Sequence, residues 1–170
     1  DPRVSHFRLT AHLRLALLIF SIEFWLALGL LKEKSQEKSV LFPLLVVGAV
    51  FVMALSGGFV AGLRAGHAYN SFPLMNGYLV PPETLMLDPW WRNFFWNVAT
   101  VQLMHRALFW LLLVLIPLLW WRTRGTPAKL AAHHLLGMFL LQAALGISTL
   151  LLVVPIPLAA AHQAGAVLLL

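Results

Sequence analysis

The chain has 170 residues, of which 61% are hydrophobic and 11% are charged, and its mean hydropathy is +0.85. These values exclude an ordinary water-soluble globular domain and predict an all-α, polytopic membrane protein. The net charge of +6 does not indicate nucleic acid, because basic loops are typical of membrane proteins that contact anionic lipid, and the lack of cysteine excludes disulfides and thiolate ligands.

Four apolar segments are long enough to cross a bilayer, whose core of about 30 Å needs about 20 helical residues. They are residues 9–31, 39–63, 98–121 and 130–154. A fifth segment, 158–170, is too short to span, and residue 1 is Asp rather than an initiator Met. We therefore expect the sequence to be a piece of a longer membrane protein.

The connections between these segments predict their orientation. The connection 122–129 is basic without a balancing acid, and 32–38 holds three Lys against two Glu, so both are expected to be cytoplasmic. The longer connection 64–97 balances two Arg against one Glu and one Asp and is expected on the outer side. Its aromatic residues favour either a lid over a site or an interfacial belt.

Three histidines, His12, His105 and His162, lie near the outer ends of three different segments. An ionisable side chain inside a membrane is costly and is usually kept for a partner or a function. Neutral imidazole is a common ligand of metals, including haem iron. The shared depth predicts a buried metal or haem layer, and the alternative is a set of hydrogen bonds between helices. His133 and His134 lie at the opposite end and are expected to be interfacial.

The first and last segments also have related sequences. Ala11-His12 is followed by Ala-Leu-Leu at 16–18, and Ala161-His162 by Ala-Val-Leu at 166–168, the same offsets. Together with the equal depth of the two histidines, this indicates an internal duplication in which segments recur every four helices.

An ordered set of short motifs runs through the whole chain. They are GGFVAGL at 57–63, YNSFPLM at 69–75, RN at 92–93, TVQ at 100–102, HR at 105–106, GISTLL at 146–151 and HQ at 162–163. In this order they resemble the C-terminal half of the haem A synthase family, of the bacterial and mitochondrial type. The resemblance begins at about residue 3 and extends to the end of the chain.

The resemblance implies a fold and an activity. Members of the family have eight membrane helices in two similar four-helix bundles. As oxidoreductases they convert a methyl group of haem O to the formyl group of haem A, for terminal oxidases. Residues 1–38 would then be the last transmembrane helix of the N-terminal bundle with its cytoplasmic loop. Residues 39–170 would form the C-terminal haem-binding bundle, its last helix truncated, with the outer loop at 64–97.

The family's functional residues carry over to specific positions here. His105 and His162 match the two axial ligands of haem b, and His12 matches an axial ligand of the substrate haem. Arg106 could contact a haem propionate, or else extend to lipid phosphate at the interface. Gln102 stands where the first bundle of the family has its catalytic glutamate. We therefore expect no catalytic residue in this chain and no activity of the fragment alone.

The resemblance also implies partners and a location. The expected partners are the haem O substrate, membrane lipid, the N-terminal half of the same protein, and haem O synthase or a terminal oxidase, without nucleic acid. The location would be the bacterial cytoplasmic membrane or the mitochondrial inner membrane.

Three further points stay open in the sequence. One alternative function is a non-catalytic membrane b-type cytochrome or oxidase assembly factor, and another is a helical bundle without cofactor. Glu23 could belong to a proton route or be a neutral or paired group at the inner end. Small residues could make room for a macrocycle or serve close helix packing; they are Gly57, Gly58, Gly62, Gly146 and Gly165. Gln142 is expected to form an interhelical hydrogen bond.

Overall fold

The computed structural model describes residues 5–31 and 41–169, with the side chains of residues 6, 9 and 24–31 excepted. Six α-helices are present in these ranges: α1 His6–Leu31, α2 Leu41–Gly62, α3 Asn93–Trp96, α4 Val98–Thr123, α5 Lys129–Leu151 and α6 Ile156–Leu169. Two short 3-10 helices, Ala65–His67 and Trp90–Arg92, lie between α2 and α3. The described residues contain no β-strand, and the predicted all-α class is confirmed.

Three helices in the described part of the chain, α2, α4 and α5, are long and apolar enough to cross a membrane. They coincide with three of the four predicted spans, and α6 is a shorter apolar helix. The architecture is therefore that of an integral membrane protein. The remaining predicted span coincides with α1, and its crossing of the membrane stays a prediction. The predicted cytoplasmic loop at 32–38 lies outside the described residues.

The turn between α5 and α6 differs from the sequence prediction. The helix α5 ends at Leu151 rather than at residue 154, and α6 begins at Ile156 rather than at residue 158. Pro155 explains the break, because proline has no N–H and disfavours helical geometry in the residue before it. Val153 and Val154 take left-handed backbone angles, with φ of 60° and 59°. Two apolar valines look helical in sequence, and only the proline after them signals the turn.

The helices pack in chain order: α1 on α2, α2 on α4, α4 on α5 and α5 on α6. The buried apolar core lies toward one end of the bundle, in the first halves of α2 and α5 and the second half of α4. It consists of Val46, Val50, Leu112, Ile116, Leu119 and Phe139. Many apolar side chains elsewhere are exposed, as expected for surfaces that face lipid. The opposite end, where α2 ends and α4 and α6 begin, is called the outer end below.

Aromatic rings join the helices at the outer end. Phe7 of α1 contacts Phe59 of α2 with ring centroids 5.8 Å apart, and Trp96 of α3 at 4.9 Å. Phe95 of α3 lies 5.6 Å from Phe59. Below this cluster, a β-carbon on Gly58 would lie 3.1 Å from the Thr10 hydroxyl, so α1 and α2 approach closely there. The outer loop is thereby packed onto the ends of α1 and α2.

Candidate functional site

Two of the three predicted histidines come together at the outer end. His105 is seven positions after Val98, the first residue of α4, and His162 is six positions after Ile156, the first residue of α6. At about 1.5 Å per residue each lies about 10 Å below the start of its helix. Both rings are partly buried, and His105 is near enough to His162 and Arg106 to interact with both electrostatically.

Each of these rings lies against a glycine of the neighbouring helix. A β-carbon on Gly57 of α2 would be 3.4 Å from Cε1 of His105. A β-carbon on Gly146 of α5 would be only 2.8 Å from Cε1 of His162 and 3.2 Å from its Nε2. A side chain at Gly146 would therefore collide with the imidazole. Both histidines therefore have the same kind of support, a glycine on the adjacent helix against which the imidazole ring packs.

The two imidazoles differ at Nδ1. For His105, the hydroxyl oxygen of Ser56 lies 2.7 Å from Nδ1. For His162, Nδ1 is buried and has no hydrogen-bond partner among the described residues. A buried polar atom without a partner is uncommon in native proteins and marks a place where a ligand or water completes the site.

The helix α6, which carries His162, is positioned by α5 rather than by α4. Among the described residues, α6 packs closely on α5, whereas α4 and α6 are not a closely packed pair. Gln142 of α5 donates from Nε2 to the backbone carbonyl of His162 at 2.9 Å, which confirms the predicted interhelical hydrogen bond. Gly165 permits this approach, because a β-carbon there would lie 2.7 Å from the Gln142 oxygen. The two imidazoles therefore come from different helices, as the ligands of a cofactor held in a helical bundle do.

Arg106 anchors the outer loop. One of its Nη groups donates to the carbonyls of Pro73, at 3.2 Å, and Leu74, at 3.1 Å, and the other donates to Tyr69, at 3.0 Å. Gln102 also donates to the carbonyl of Tyr69, at 3.1 Å. Arg106 is only 7% exposed, so it does not extend to the interface in the way that surface arginines do. Its predicted propionate contact stays a prediction beside this loop contact.

We expect Arg106→Ala to loosen the loop over the histidine pair. Hydrogen bonds from a charged donor contribute about 1.5–3 kcal/mol each, so the loss of three should amount to several kcal/mol locally. Hydrogen exchange of the amides at 69–74 should become faster than in the parent protein. Arg92→Ala is the control, because Arg92 is exposed and its guanidinium contacts the Asp88 carbonyl, at 3.4 Å, and the Trp96 ring, at 5.5 Å, rather than the carbonyls at 69–74. Unchanged exchange in Arg106→Ala would contradict the anchoring role.

The outer loop also contacts two helices of the bundle, α5 and α4. Asn70 donates to the carbonyls of Gly66 and Leu150, the latter at 3.0 Å, which links the loop to the end of α5. Phe72 stacks on Trp110 of α4, with ring centroids 5.8 Å apart. These contacts hold the first part of the loop against α4 and α5. The lid and the interfacial belt both stay predictions for the loop.

The loop also carries a hydrogen bond between two of its own side chains. The Tyr69 hydroxyl donates to Glu83 at 3.0 Å. Burial, together with this hydrogen bond and the Glu83 charge, raises the pKa of the Tyr69 phenol. The phenol therefore remains a protonated donor to Glu83 at neutral pH.

Two asparagines to which the sequence analysis gave no role shape the second half of the loop. Asn93 donates to the carbonyls of Leu87, at 2.9 Å, and Trp90, at 2.8 Å, and accepts from the Leu87 amide. Asn97 donates to the Glu83 carbonyl at 2.7 Å and caps α4 by accepting from the amide of Thr100. Asparagine directly before an apolar helix is a recognised capping signal, so Asn97 could have been found in the sequence.

The remaining predicted residues lie apart from the pair. His12 is exposed on α1, and the structure does not bring it together with His105 and His162. Glu23 is also exposed on α1, and its proton route stays a prediction. His133 and His134 are exposed at the opposite end, with His133 Nδ1 2.7 Å from the Lys129 carbonyl. Within residues 5–31 and 41–169 no three His, Asp or Glu side chains group as a metal site, so the candidate site rests on two imidazoles.

Comparison with known proteins places the chain in one family. The COX15-CtaA family model, described as cytochrome oxidase assembly protein, matches residues 1–170. A "Heme A synthase" of Nitrosospira multiformis is 53% identical over 180 residues, which cover 99% of this chain and 51% of that protein. The "Heme A synthase COX15" of Mus musculus is 44% identical, covering 99% of this chain and 44% of its own length. No solved structure matches the chain.

The match to the family model extends over the whole chain, and the resemblance inferred from the motifs is confirmed. The chain spans about half the length of the curated relatives it matches. These findings, together with the all-helical membrane architecture, assign the chain to the COX15-CtaA family of cytochrome oxidase assembly proteins, to which the haem A synthases belong.

Proposed function

We propose that this chain is the part of a haem A synthase that holds a bis-histidine haem b, with His105 and His162 as the axial ligands. The observation that carries the proposal is the pair of imidazoles at one depth on α4 and α6, each seated on a glycine. The relatives that cover the chain are named heme A synthase. The whole protein would oxidise the methyl group of haem O to the formyl group of haem A.

The residues present fit a haem. Two neutral imidazoles are a donor set for low-spin haem iron, and the flanking residues are apolar or small. Gly57 and Gly146 let the two rings lie close against α2 and α5, and the buried Nδ1 of His162 has no partner among the described residues. When bound, the haem would supply one-electron transfer. The chain's own contribution is to orient the two rings and, through the loop bound by Arg106 and Gln102, to exclude water.

The substrate haem is expected in the N-terminal bundle rather than between His105 and His162. We assign His12 as an axial ligand of haem O, because its side chain is exposed on α1 and away from the pair. This role requires the N-terminal half of the protein, with residues 1–38 completing that bundle and 39–170 forming the second. Membrane lipid surrounds both, in a bacterial cytoplasmic membrane or a mitochondrial inner membrane. Haem O synthase or a terminal oxidase would be the partner before or after the reaction.

A second candidate function, a non-catalytic b-type cytochrome or oxidase assembly factor, fits the same pair of imidazoles. Gln102 is neutral, and its amide is engaged by the Tyr69 carbonyl at 3.1 Å, so no carboxylate stands at that position beside His105. A carboxylate is the group suited to general-base work or to stabilising positive charge. Product analysis separates the two functions, because only the synthase forms haem A.

The absorption spectrum of the purified protein tests the haem proposal. We expect the low-spin spectrum of a bis-histidine b-type haem. Gly146→Ala should reduce the low-spin fraction, because the new methyl group would lie 2.8 Å from the His162 ring. Gly137→Ala on the same helix is the matched control, since no atom lies within 4 Å of its β-carbon position. A parent protein without low-spin haem would overturn the proposal. Equal spectra of the Gly146→Ala and Gly137→Ala variants would show that Gly146 does not position the His162 ring.

A further inference from the structure

Ser56 on α2 makes two close contacts with a single hydroxyl group. Its oxygen lies 2.7 Å from the backbone carbonyl oxygen of Met53 and 2.7 Å from Nδ1 of His105. The carbonyl oxygen can only accept, so the hydroxyl proton is donated there. The same hydroxyl oxygen then accepts, and the donor on the other side is the Nδ1–H of the imidazole.

We propose that Ser56 is a positioning residue for His105, which keeps the ring proton on Nδ1 and leaves the lone pair on Nε2 to bind iron. The inference rests on the proposed haem site and goes beyond it. A neutral imidazole binds a metal through the nitrogen that carries no proton, and the hydrogen bond on the other nitrogen decides which one that is. Nothing in the sequence pattern around Ser56 indicates this role.

The neighbouring glycine completes the arrangement. Ser56 and Gly57 are consecutive in α2, and they meet adjacent atoms of the same ring: Nδ1 for Ser56 and Cε1, at 3.4 Å, for Gly57. One turn of α2 therefore constrains both the rotation of the imidazole and its tautomer. The ring nitrogen left without a contact from this turn is Nε2, the one that can face a ligand between α4 and α6.

The second imidazole has no equivalent support. Nδ1 of His162 is buried without a partner among the described residues, so the two proposed ligands are not equivalent. A hydrogen bond from Nδ1–H increases the basicity of the ligating nitrogen. Stronger donation stabilises ferric over ferrous iron and lowers the reduction potential. Ser56 therefore makes His105 the stronger donor of the pair and sets part of the potential of the haem.

Ser21 provides a matched comparison within the same protein. Its hydroxyl donates to the Leu17 carbonyl at 2.7 Å, as the Ser56 hydroxyl does to Met53. Such a bond to the preceding turn is common for serine in membrane helices and has no effect on a distant haem. The difference between the two serines is the imidazole. A variant at Ser21 therefore controls for loss of the helix contact alone.

The test compares Ser56→Ala, Ser56→Thr and Ser21→Ala in the full protein with its haem, by redox titration and by haem affinity. Ser56→Ala should raise the midpoint potential and weaken haem binding by about 10- to 100-fold, the usual effect of losing a hydrogen bond to a metal-bound histidine. Ser56→Thr keeps a hydroxyl and should stay near the parent values, as should Ser21→Ala. A Ser56→Ala protein that loses haem altogether supports the proposal when Ser56→Thr retains it.

Other outcomes overturn the inference. Potential and affinity in Ser56→Ala equal to the parent values would show that the hydroxyl does not act through His105. Changes in potential and affinity as large in Ser56→Thr, or in Ser21→Ala, as in Ser56→Ala would show the same. Nitrogen-15 NMR of the reduced parent protein decides the tautomer separately, because a proton on Nε2 of His105 would exclude the role of Ser56. A protein without low-spin haem would defeat the proposed function instead, and the NMR result would still decide the tautomer.

Discussion

Replacing either His105 or His162 with alanine is expected to abolish the low-spin haem b spectrum. Each imidazole would supply one of two axial bonds, and iron with one axial histidine becomes five-coordinate or takes water. The alanine variants also leave a gap beside Gly57 or Gly146, the glycines on which the rings lie. We therefore expect haem loss, or retained haem with an altered, high-spin spectrum, measured on purified protein at equal haem loading.

The controls for this experiment lie at the other end of the bundle. His133 and His134 are exposed on α5, far from the outer end, and alanine at either position should leave the spectrum unchanged. His12→Ala should also retain haem b, because His12 is exposed on α1. An unchanged low-spin spectrum in either His105→Ala or His162→Ala would rule out this ligand pair.

The second large effect concerns haem A itself. We expect this chain alone to form no haem A from haem O, even with an electron acceptor, and to support its formation when co-expressed with the N-terminal half. Oxidation of a methyl group develops positive charge and releases protons, for which a carboxylate is suited. At the corresponding position this chain has Gln102, whose amide cannot accept a proton usefully near neutral pH.

The measurement for this prediction is extraction of haem from both preparations, followed by chromatography and identification of the formyl product. The position of His12 supports the same expectation, because a substrate haem held by His12 needs a second ligand from the missing half. Haem A formed by this chain alone would contradict the claim that oxidation of haem O requires the N-terminal half. Haem b bound by the chain alone, without haem A, is the result that agrees with it.

The helices and their depths could be predicted from the sequence. Three predicted spans, 39–63, 98–121 and 130–154, coincide with α2, α4 and α5 to within a few residues. Apolar length is enough for this, because a membrane helix must satisfy its own backbone and cover about 30 Å. The predicted end of the span 130–154 was wrong, because Val153 and Val154 continue the apolar run beyond Leu151, where α5 ends.

The candidate site was predicted in part. His105 and His162 were selected by depth, which follows from the rise per residue alone. From the sequence, Arg106 could contact a haem propionate or lipid phosphate, and the propionate contact stays a prediction. The structure adds three hydrogen bonds from Arg106 to loop carbonyls. Backbone carbonyls belong to every residue and leave no mark in the sequence, so only the folded loop reveals which of them a buried arginine meets.

The sequence by itself determined that the protein lies in a membrane, where its long helices are, and which two histidines to select as candidate ligands. Each of these depends on composition or on spacing along one helix. The tertiary structure alone decided the support around those imidazoles. Ser56 and Gly57 lie about fifty positions before His105 and meet its ring only because α2 packs on α4. Gly146 and His162 meet because Pro155 turns the chain back on itself. Contacts between helices depend on which faces meet, and that is a property of the packed bundle rather than of any one segment.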